Sequence, residues 1–318
     1  MVKVLVTGGA GFIGSHCVDS LLKRGDTVFA IDNFNDFYSK ERKEANVRAH
    51  LEHECYGLAY GDCADRDFVR QCLDSFKPNK VLHLAARAGV QPSWKDPAEY
   101  MRSNVLATTI LLDECEKQGI DKFVFASSSS VYGGNTKVPF SEEDRVDNQV
   151  SPYATTKRSC ELIANTYAQK GMRIAGLRFF TVYGPRNRPD MAIYQFARNI
   201  SEGKPIKVFG QGDEVRRDWT YVSDIVDGIM ASLDNVHKFK CEMFNLGNCR
   251  PTPVMELVKL LEDNLGKKAV VERAPLPVGD VLQTYADTSK AKRLLGWEQK
   301  TPLEAGVKEF VNWFKTNG

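Results

Sequence analysis

The sequence lacks the patterns of a metalloprotein, a membrane protein or a nucleic-acid binder. Its eight cysteines, at positions 17, 55, 63, 72, 115, 160, 241 and 249, form no CxxC pair, and no Cys/His group has zinc spacing. The five histidines are scattered, so no metal ligand is assigned. Reduced thiols that pack or lie near the surface are expected. No apolar run reaches the ~18–20 residues of a membrane-spanning helix. The formal net charge of +2 is too small for a nucleic-acid-binding surface. No charge run marks a tail, and no repeat or low-complexity segment occurs. The opening MVKVLVTGGAG reads as a strand entering a glycine turn rather than as a signal peptide. A soluble, cytoplasmic protein with neither membrane nor nucleic acid as partner is expected.

What is present is the material of a packed globular protein. The 318 residues, 42% hydrophobic and 26% charged, fit one large nucleotide-binding domain plus a smaller lobe. Short β-branched or apolar runs at Val2–Thr7, Thr27–Ile31, Gly57–Tyr60, Lys80–Leu84, Phe123–Ala126 and Arg173–Phe180 predict strands. Amphipathic stretches at Ser15–Arg24, Asp65–Phe76, Pro97–Gln118 and Tyr153–Lys170 lie between them. This alternation predicts parallel βαβ units in a doubly wound α/β sheet.

After Phe180 the pattern changes. Tyr183–Pro189 reads as a loop; helices follow at Met191–Glu202, Asp224–Leu233, Val254–Leu265 and Leu303–Lys315, with a strand-like run at Ile206–Phe209. Met243–Leu246 reads as a strand returning to the sheet. The expected partition is a dinucleotide-binding domain over 1–180 with returning segments near 220–248. A smaller interleaved α/β substrate lobe takes 181–219 and 249–318.

Gly8-Gly9-Ala10-Gly11-Phe12-Ile13-Gly14 falls where the first strand turns into a helix. Glycines there allow a tight turn and a close backbone approach to a pyrophosphate, which the helix N-terminus attracts. Asp32 ends the second strand, about twenty residues on, where a carboxylate accepts hydrogen bonds from both ribose hydroxyls of NAD and repels a 2′-phosphate. NAD is therefore the expected cofactor and the fold is Rossmann-type. Asn33 lies beside Asp32, and Asp62 follows the third strand within reach of the adenine. Leu84-Ala85-Ala86 places small residues at the end of the fourth strand.

Tyr153 and Lys157 stand four apart at the start of a predicted helix and share one face. The spacing suits acid–base chemistry on an alcohol. An ammonium and a positive nicotinamide stabilise the phenolate that takes the proton. Ser127-Ser128-Ser129-Ser130 follows the fifth strand, at the edge where doubly wound sheets bind ligands. A hydroxyl there can bond the same substrate oxygen.

TGGAGFIG, HLAA, SSSSVYG, YATTK, LRFFTVYGP and RRDWTYVSD resemble, in order, the extended short-chain dehydrogenase/reductase family of sugar-nucleotide enzymes, from Val2 to about Trp297. AARAGV, the four serines, FFTVYGPRNRPDMA and GDVLQTYAD are most similar to its UDP-glucuronate 4-epimerase group. The resemblance implies a catalytic trio of Ser128, Tyr153 and Lys157, with Phe12, Ile13 and Phe180 among the cofactor contacts. It also implies a UDP-sugar near Arg87, Thr181, Arg188, Phe209, Arg217 and Asp280, and a homodimer through Pro97–Gln118 and Tyr153–Lys170. UDP-glucose 4-epimerases of the family often carry an arginine near position 277, where this chain has Pro277.

Enzymes of this group begin by oxidising C4 of the sugar. The family's dehydratases then use an Asp–Glu pair just after the catalytic hydroxyl residue, and its decarboxylases place a glutamate in that segment. Ser129 and Ser130 stand there and supply no carboxylate. Rotation of the keto sugar and return of hydride to its other face, an epimerisation, is the course left. For a uronate, oxidation at C4 gives a β-keto acid that loses CO2 when the carboxylate bond aligns with the carbonyl π system. Ser129, Ser130 and Thr181 are candidates to fix the carboxylate by hydrogen bonds, and Arg188 to anchor a phosphate or the carboxylate. Competing readings are a UDP-glucose or UDP-N-acetylglucosamine 4-epimerase, a UDP-glucuronate decarboxylase, a net NAD-dependent oxidoreductase, and a non-catalytic NAD-sensing scaffold. The intact Tyr153/Lys157 pair speaks against the last.

Overall fold

The computed structural model describes residues 1–210 and 214–318. Twelve strands are present among them: β1 (Lys3–Thr7), β2 (Thr27–Asp32), β3 (Tyr56–Tyr60), β4 (Lys80–His83), β5 (Lys122–Ser128), β6 (Arg173–Phe179), β7 (Thr181–Tyr183), β8 (Pro205–Phe209), β9 (Arg216–Tyr221), β10 (Cys241–Leu246), β11 (Pro251–Pro253) and β12 (Val270–Ala274). The first six and β10 form one parallel sheet in the order β10-β6-β5-β4-β1-β2-β3. Each predicted strand forms with ends within two residues of expectation. The strand order reverses between β1 and β4, so the crevice of a doubly wound fold opens at their carboxyl ends.

The helices are α1 (Phe12–Lys23), α2 (Lys40–Val47), α3 (Arg66–Phe76), α4 (Val90–Ser93), α5 (Pro97–Tyr100), α6 (Ala107–Lys117), α7 (Pro152–Gln169), α8 (Ala192–Glu202), α9 (Val222–Asn235), α10 (Val254–Leu265), α11 (Ser289–Leu295) and α12 (Leu303–Asn317). Local chemistry sets several starts. Asp65 accepts from Phe68 N at the head of α3, and Ser151 accepts from Ala154 N at the head of α7, where Pro152 fits the first turn.

The apolar faces of α3, α6 and α7 cover one side of the large sheet through Leu73, Leu111 and Ala164. On the other side α1 and α9 pack through Leu21 and Ile229. Ala291 and Leu295 of α11, with Trp297, join that same core. The segment expected wholly in the lobe is therefore shared with the dinucleotide-binding half. The lobe has its own core, where α8, α10 and α12 pack through Phe196, Leu257 and Phe310 around the β11-β9-β7 and β12-β8 sheets.

The stretch expected as one helix over Pro97–Gln118 is broken. Between α5 and α6 lies a π turn, Met101–Leu106. Inside it the Asn104 side chain accepts from Arg87 N at 2.8 Å and donates to Arg87 O and Thr156 Oγ1, both at 2.9 Å. A buried amide with fixed partners outweighs the regular helical ladder here, as is common for π-bulges near functional sites.

Two other buried polar groups are structural. His83 lies between Thr7 Oγ1 at 2.7 Å and Thr108 Oγ1 at 3.0 Å, and burial pushes its ring down to about 3, so it is neutral. Among the described residues no cluster of His, Cys, Asp and Glu could hold a metal ion, and none of their helices is long and apolar enough to cross a membrane.

Beneath β5, Arg178 makes a two-armed contact with Glu161, at 2.8 and 2.9 Å. Burial alone would raise the Glu161 carboxyl, but the Arg178 guanidinium holds it below the usual range. Ser127 Oγ donates to the same carboxylate at 2.6 Å, and Arg178 donates to Tyr132 Oη at 3.0 Å. Removing one partner of a buried ion pair strands the other charge. Arg178→Ala should therefore lower unfolding stability by ~3–5 kcal/mol in urea titration. A loss below about 1 kcal/mol would show that Glu161 is readily solvated or neutralised in the variant.

Candidate active site

At the crevice lies a cavity of about 780 Å³, walled by the glycine turn, the ends of β1, β2, β4 and β5, the head of α7 and one face of the lobe. The turn is backbone packed against backbone. A Cβ on Gly14 would lie 2.0 Å from Gly8 O, and one on Gly8, at φ +71°, would lie 2.8 Å from Ala85 N. Gly11 precedes α1 with no side-chain cap, which leaves the helix start free to meet an anion. A cradle that any Cβ would fill, at a free helix start, fits the pyrophosphate of a dinucleotide.

Asp32 is buried at the end of β2. Its carboxylate accepts from Ala10 N at 3.2 Å and Phe34 N at 2.9 Å, so it braces the turn yet keeps lone pairs for a ribose. Burial pushes its carboxyl up, against the pull of Lys43, whose Nζ lies 3.8 Å away. Lys43 is itself part of the wall, although in KERKE it looks like one more solvated helix charge. Phe12, Ile13, Asn33, Asp62, Leu84, Ala85, Ala86 and Phe180 line the same cavity. Asp62 is held by Arg102 at 2.6 Å.

Tyr153, Lys157 and Ser128 all line this cavity and are nearly buried. Lys157 Nζ donates to Ala126 O at 2.8 Å, which ties α7 to the end of β5. The Tyr153 ring stands edge-on to Tyr100 at 6.2 Å. Ser128 Oγ accepts from Ser130 N at 3.1 Å, so a short turn fixes its rotamer. The arrangement can hold an alcohol and take its hydroxyl proton, so that a hydride acceptor in the crevice could oxidise the alcohol to a carbonyl.

The same wall includes Arg87, Thr181, Arg188, Phe209, Arg217 and Asp280. Arg188 forms a two-armed pair with Asp190, its guanidinium 5.1 Å from the Phe37 ring centroid. Arg217 and Asp280 pair at 2.7 Å. Ser129 and Ser130 differ from expectation. They occupy the 3-10 turn that begins after Ser128, and the cavity wall takes Ser127 and Ser128 instead. The cause is the turn itself, which carries the chain away from the sheet edge once Ser128 has capped it.

Residues 4–247 match the NAD dependent epimerase/dehydratase family. The chain belongs to this family. It is 44% identical over 329 residues to UDP-glucuronate 4-epimerase 4 of Arabidopsis thaliana, covering 98% of this chain and 75% of that one. It superimposes on the UDP-glucuronic acid 4-epimerase of Bacillus cereus, crystallised with UDP-glucuronic acid and NAD, with a TM-score of 0.93 at 35% identity, covering 98% and 99% of the two chains. The UDP-glucose 4-epimerase of Thermotoga maritima superimposes with a TM-score of 0.87 at 34% identity and covers 98% of each chain. The fold is thus that of the NAD-dependent sugar-nucleotide epimerases, and NAD is the cofactor for which the crevice is built.

Tyr153→Phe keeps the ring against Tyr100 and removes only the hydroxyl. Turnover on the sugar nucleotide should fall by about 100-fold or more, while thermal unfolding and NAD binding stay near wild type. Activity within about threefold of wild type in the folded variant would remove Tyr153 from proton transfer.

Proposed function

We propose that the protein is an NAD-dependent UDP-glucuronate 4-epimerase, interconverting UDP-glucuronate and UDP-galacturonate through a 4-keto sugar. The observation that carries this reading is the Tyr153–Lys157–Ser128 group beside a dinucleotide cradle, with no carboxylate at positions 129 and 130 to divert the keto sugar into elimination. NAD, when bound, supplies a hydride acceptor for C4 that later gives the hydride back. Tyr153 takes the C4 hydroxyl proton and returns it after the sugar has turned. Lys157, anchored on Ala126 O, holds positive charge beside the phenol. Ser128 bonds the C4 oxygen. The paired Arg217 and Asp280, with Phe209, hold the nucleotide side, and the sugar turns inside the same cavity.

The similarity to UDP-glucuronate 4-epimerases over nearly the whole chain supports the uronate over a neutral sugar. Thr181, on the cavity wall, is read as the hydroxyl that fixes the carboxylate out of line with the C4 carbonyl, with Ser129 and Ser130 as further candidates in the adjoining turn. Arg188 anchors the negative charge of the phosphates or the carboxylate. The protein is further inferred to be a cytoplasmic homodimer that pairs through the exposed Leu106, at the end of the π turn before α6, and Leu162 on α7, at 46% and 54% exposure. Leu162→Glu should then sediment as a monomer where the wild type sediments as a dimer.

The substrate reading is tested with UDP-glucuronate, without reductant and with NAD far below substrate. UDP-galacturonate should accumulate to equilibrium with no net change in NAD. Consumption of one NAD per product would make the protein a net oxidoreductase, and turnover of UDP-glucose in preference would move it to the neutral-sugar epimerases. Thr181→Ala should bind UDP-glucuronate more weakly, by roughly 10-fold or more for a charge-assisted hydrogen bond, and release more CO2 per product than wild type. Unchanged affinity together with unchanged CO2 release would end the carboxylate role of Thr181.

A further inference from the structure

The segment between β2 and α2 folds back over the glycine turn, and its last aromatic residue, Tyr38, forms part of the cavity wall. Its hydroxyl is buried and has no hydrogen-bond partner among the described residues. An orphaned buried hydroxyl is costly and points to a partner that the protein alone does not supply. A Cβ built on Gly11 would lie 3.9 Å from Tyr38 Oη, so the hydroxyl stands at the start of α1, where an anion is attracted. Burial pushes the Tyr38 phenol up, so the group is a neutral donor at neutral pH.

We propose that Tyr38 is a cofactor-binding residue that donates its phenolic hydrogen to the pyrophosphate of NAD. Its segment is held in place independently of any ligand. Lys43 Nζ donates to Asn35 O and Asn35 Oδ1, both at 3.0 Å, and stands 4.9 Å over the Tyr38 ring. Arg42 donates to the hydroxyl of Tyr194 on α8, with its guanidinium 4.8 Å from that ring. The segment and α2 together therefore strap the dinucleotide half to the lobe and present the phenol ready-placed. Such a donor slows loss of the dinucleotide, which an enzyme that reoxidises its own cofactor requires.

The test is titration of NAD-stripped protein with ADP-ribose, which carries the pyrophosphate, and with adenosine, which does not. The ratio of the two affinities is read within one sample, so a modest loss of stability does not affect it. In Tyr38→Phe the ratio should fall roughly 10-fold or more, as for loss of a charge-assisted hydrogen bond, and NAD should dissociate correspondingly faster. Tyr56→Phe is the control: its hydroxyl is also buried without a partner, but Tyr56 is not part of the cavity wall, and its ratio should match wild type. An unchanged ratio in Tyr38→Phe overturns the proposal, as does an equal fall in Tyr56→Phe. A variant that keeps the ratio and loses only affinity for the UDP-sugar would assign the hydroxyl to the substrate instead.

Discussion

Between Thr7 and Ser15 the backbone passes so close to itself that side chains have no room: the missing Cβ of Gly14 would sit 2.0 Å from Gly8 O, and that of Gly8 would press on Ala85 N. This contact sets the distance from β1 to α1 and from both to the end of β4. The helix start, with its unpaired N–H groups, is thereby brought to the floor of the crevice. Asp32 braces the same turn through Ala10 N and Phe34 N. The carboxylate that would read the ribose is thus also a strut of the turn that would read the pyrophosphate.

The chemical end depends on a second set of fixed contacts. Lys157 reaches Ala126 O, Ser127 reaches Glu161, and Glu161 is neutralised by Arg178. These bonds join β5 to α7, the two elements that carry Ser128 and Tyr153. From the other side the π turn at Asn104 grips Arg87 and Thr156. A proton acceptor must hold its position to within a fraction of an ångström through a cycle in which the sugar itself rotates. Rigid walls around a roomy cavity meet that demand.

Much of this was legible in the sequence because it is local. A glycine turn, a strand-ending aspartate and a Tyr–Lys pair one helical turn apart each declare themselves within a few residues. The parallel order followed from alternation, and the returning strand at β10 from a single apolar run. What escaped depends on contacts far apart in sequence. Nothing in MRSN or its neighbours marks Asn104 as inward, because its partners lie at Arg87 and Thr156. Arg178 looks like any strand arginine until Glu161 is placed beneath it. Lys43 and Tyr38 reach the cavity only because their segment folds back over the turn. Ser129 and Ser130 show the opposite limit: they adjoin Ser128 in sequence, but a 3-10 turn sets them back from the wall that Ser127 and Ser128 line.

The central claim is that the hydrogen leaving C4 is kept inside the closed crevice and returned to the opposite face of the same sugar. The direct measurement is turnover of UDP-glucuronate carrying deuterium at C4, in ordinary water, with mass and NMR analysis of the UDP-galacturonate formed. Full retention of deuterium at C4 of the product, with inverted configuration, is the predicted result. Loss of the label to solvent, or its appearance in free cofactor, would contradict the account.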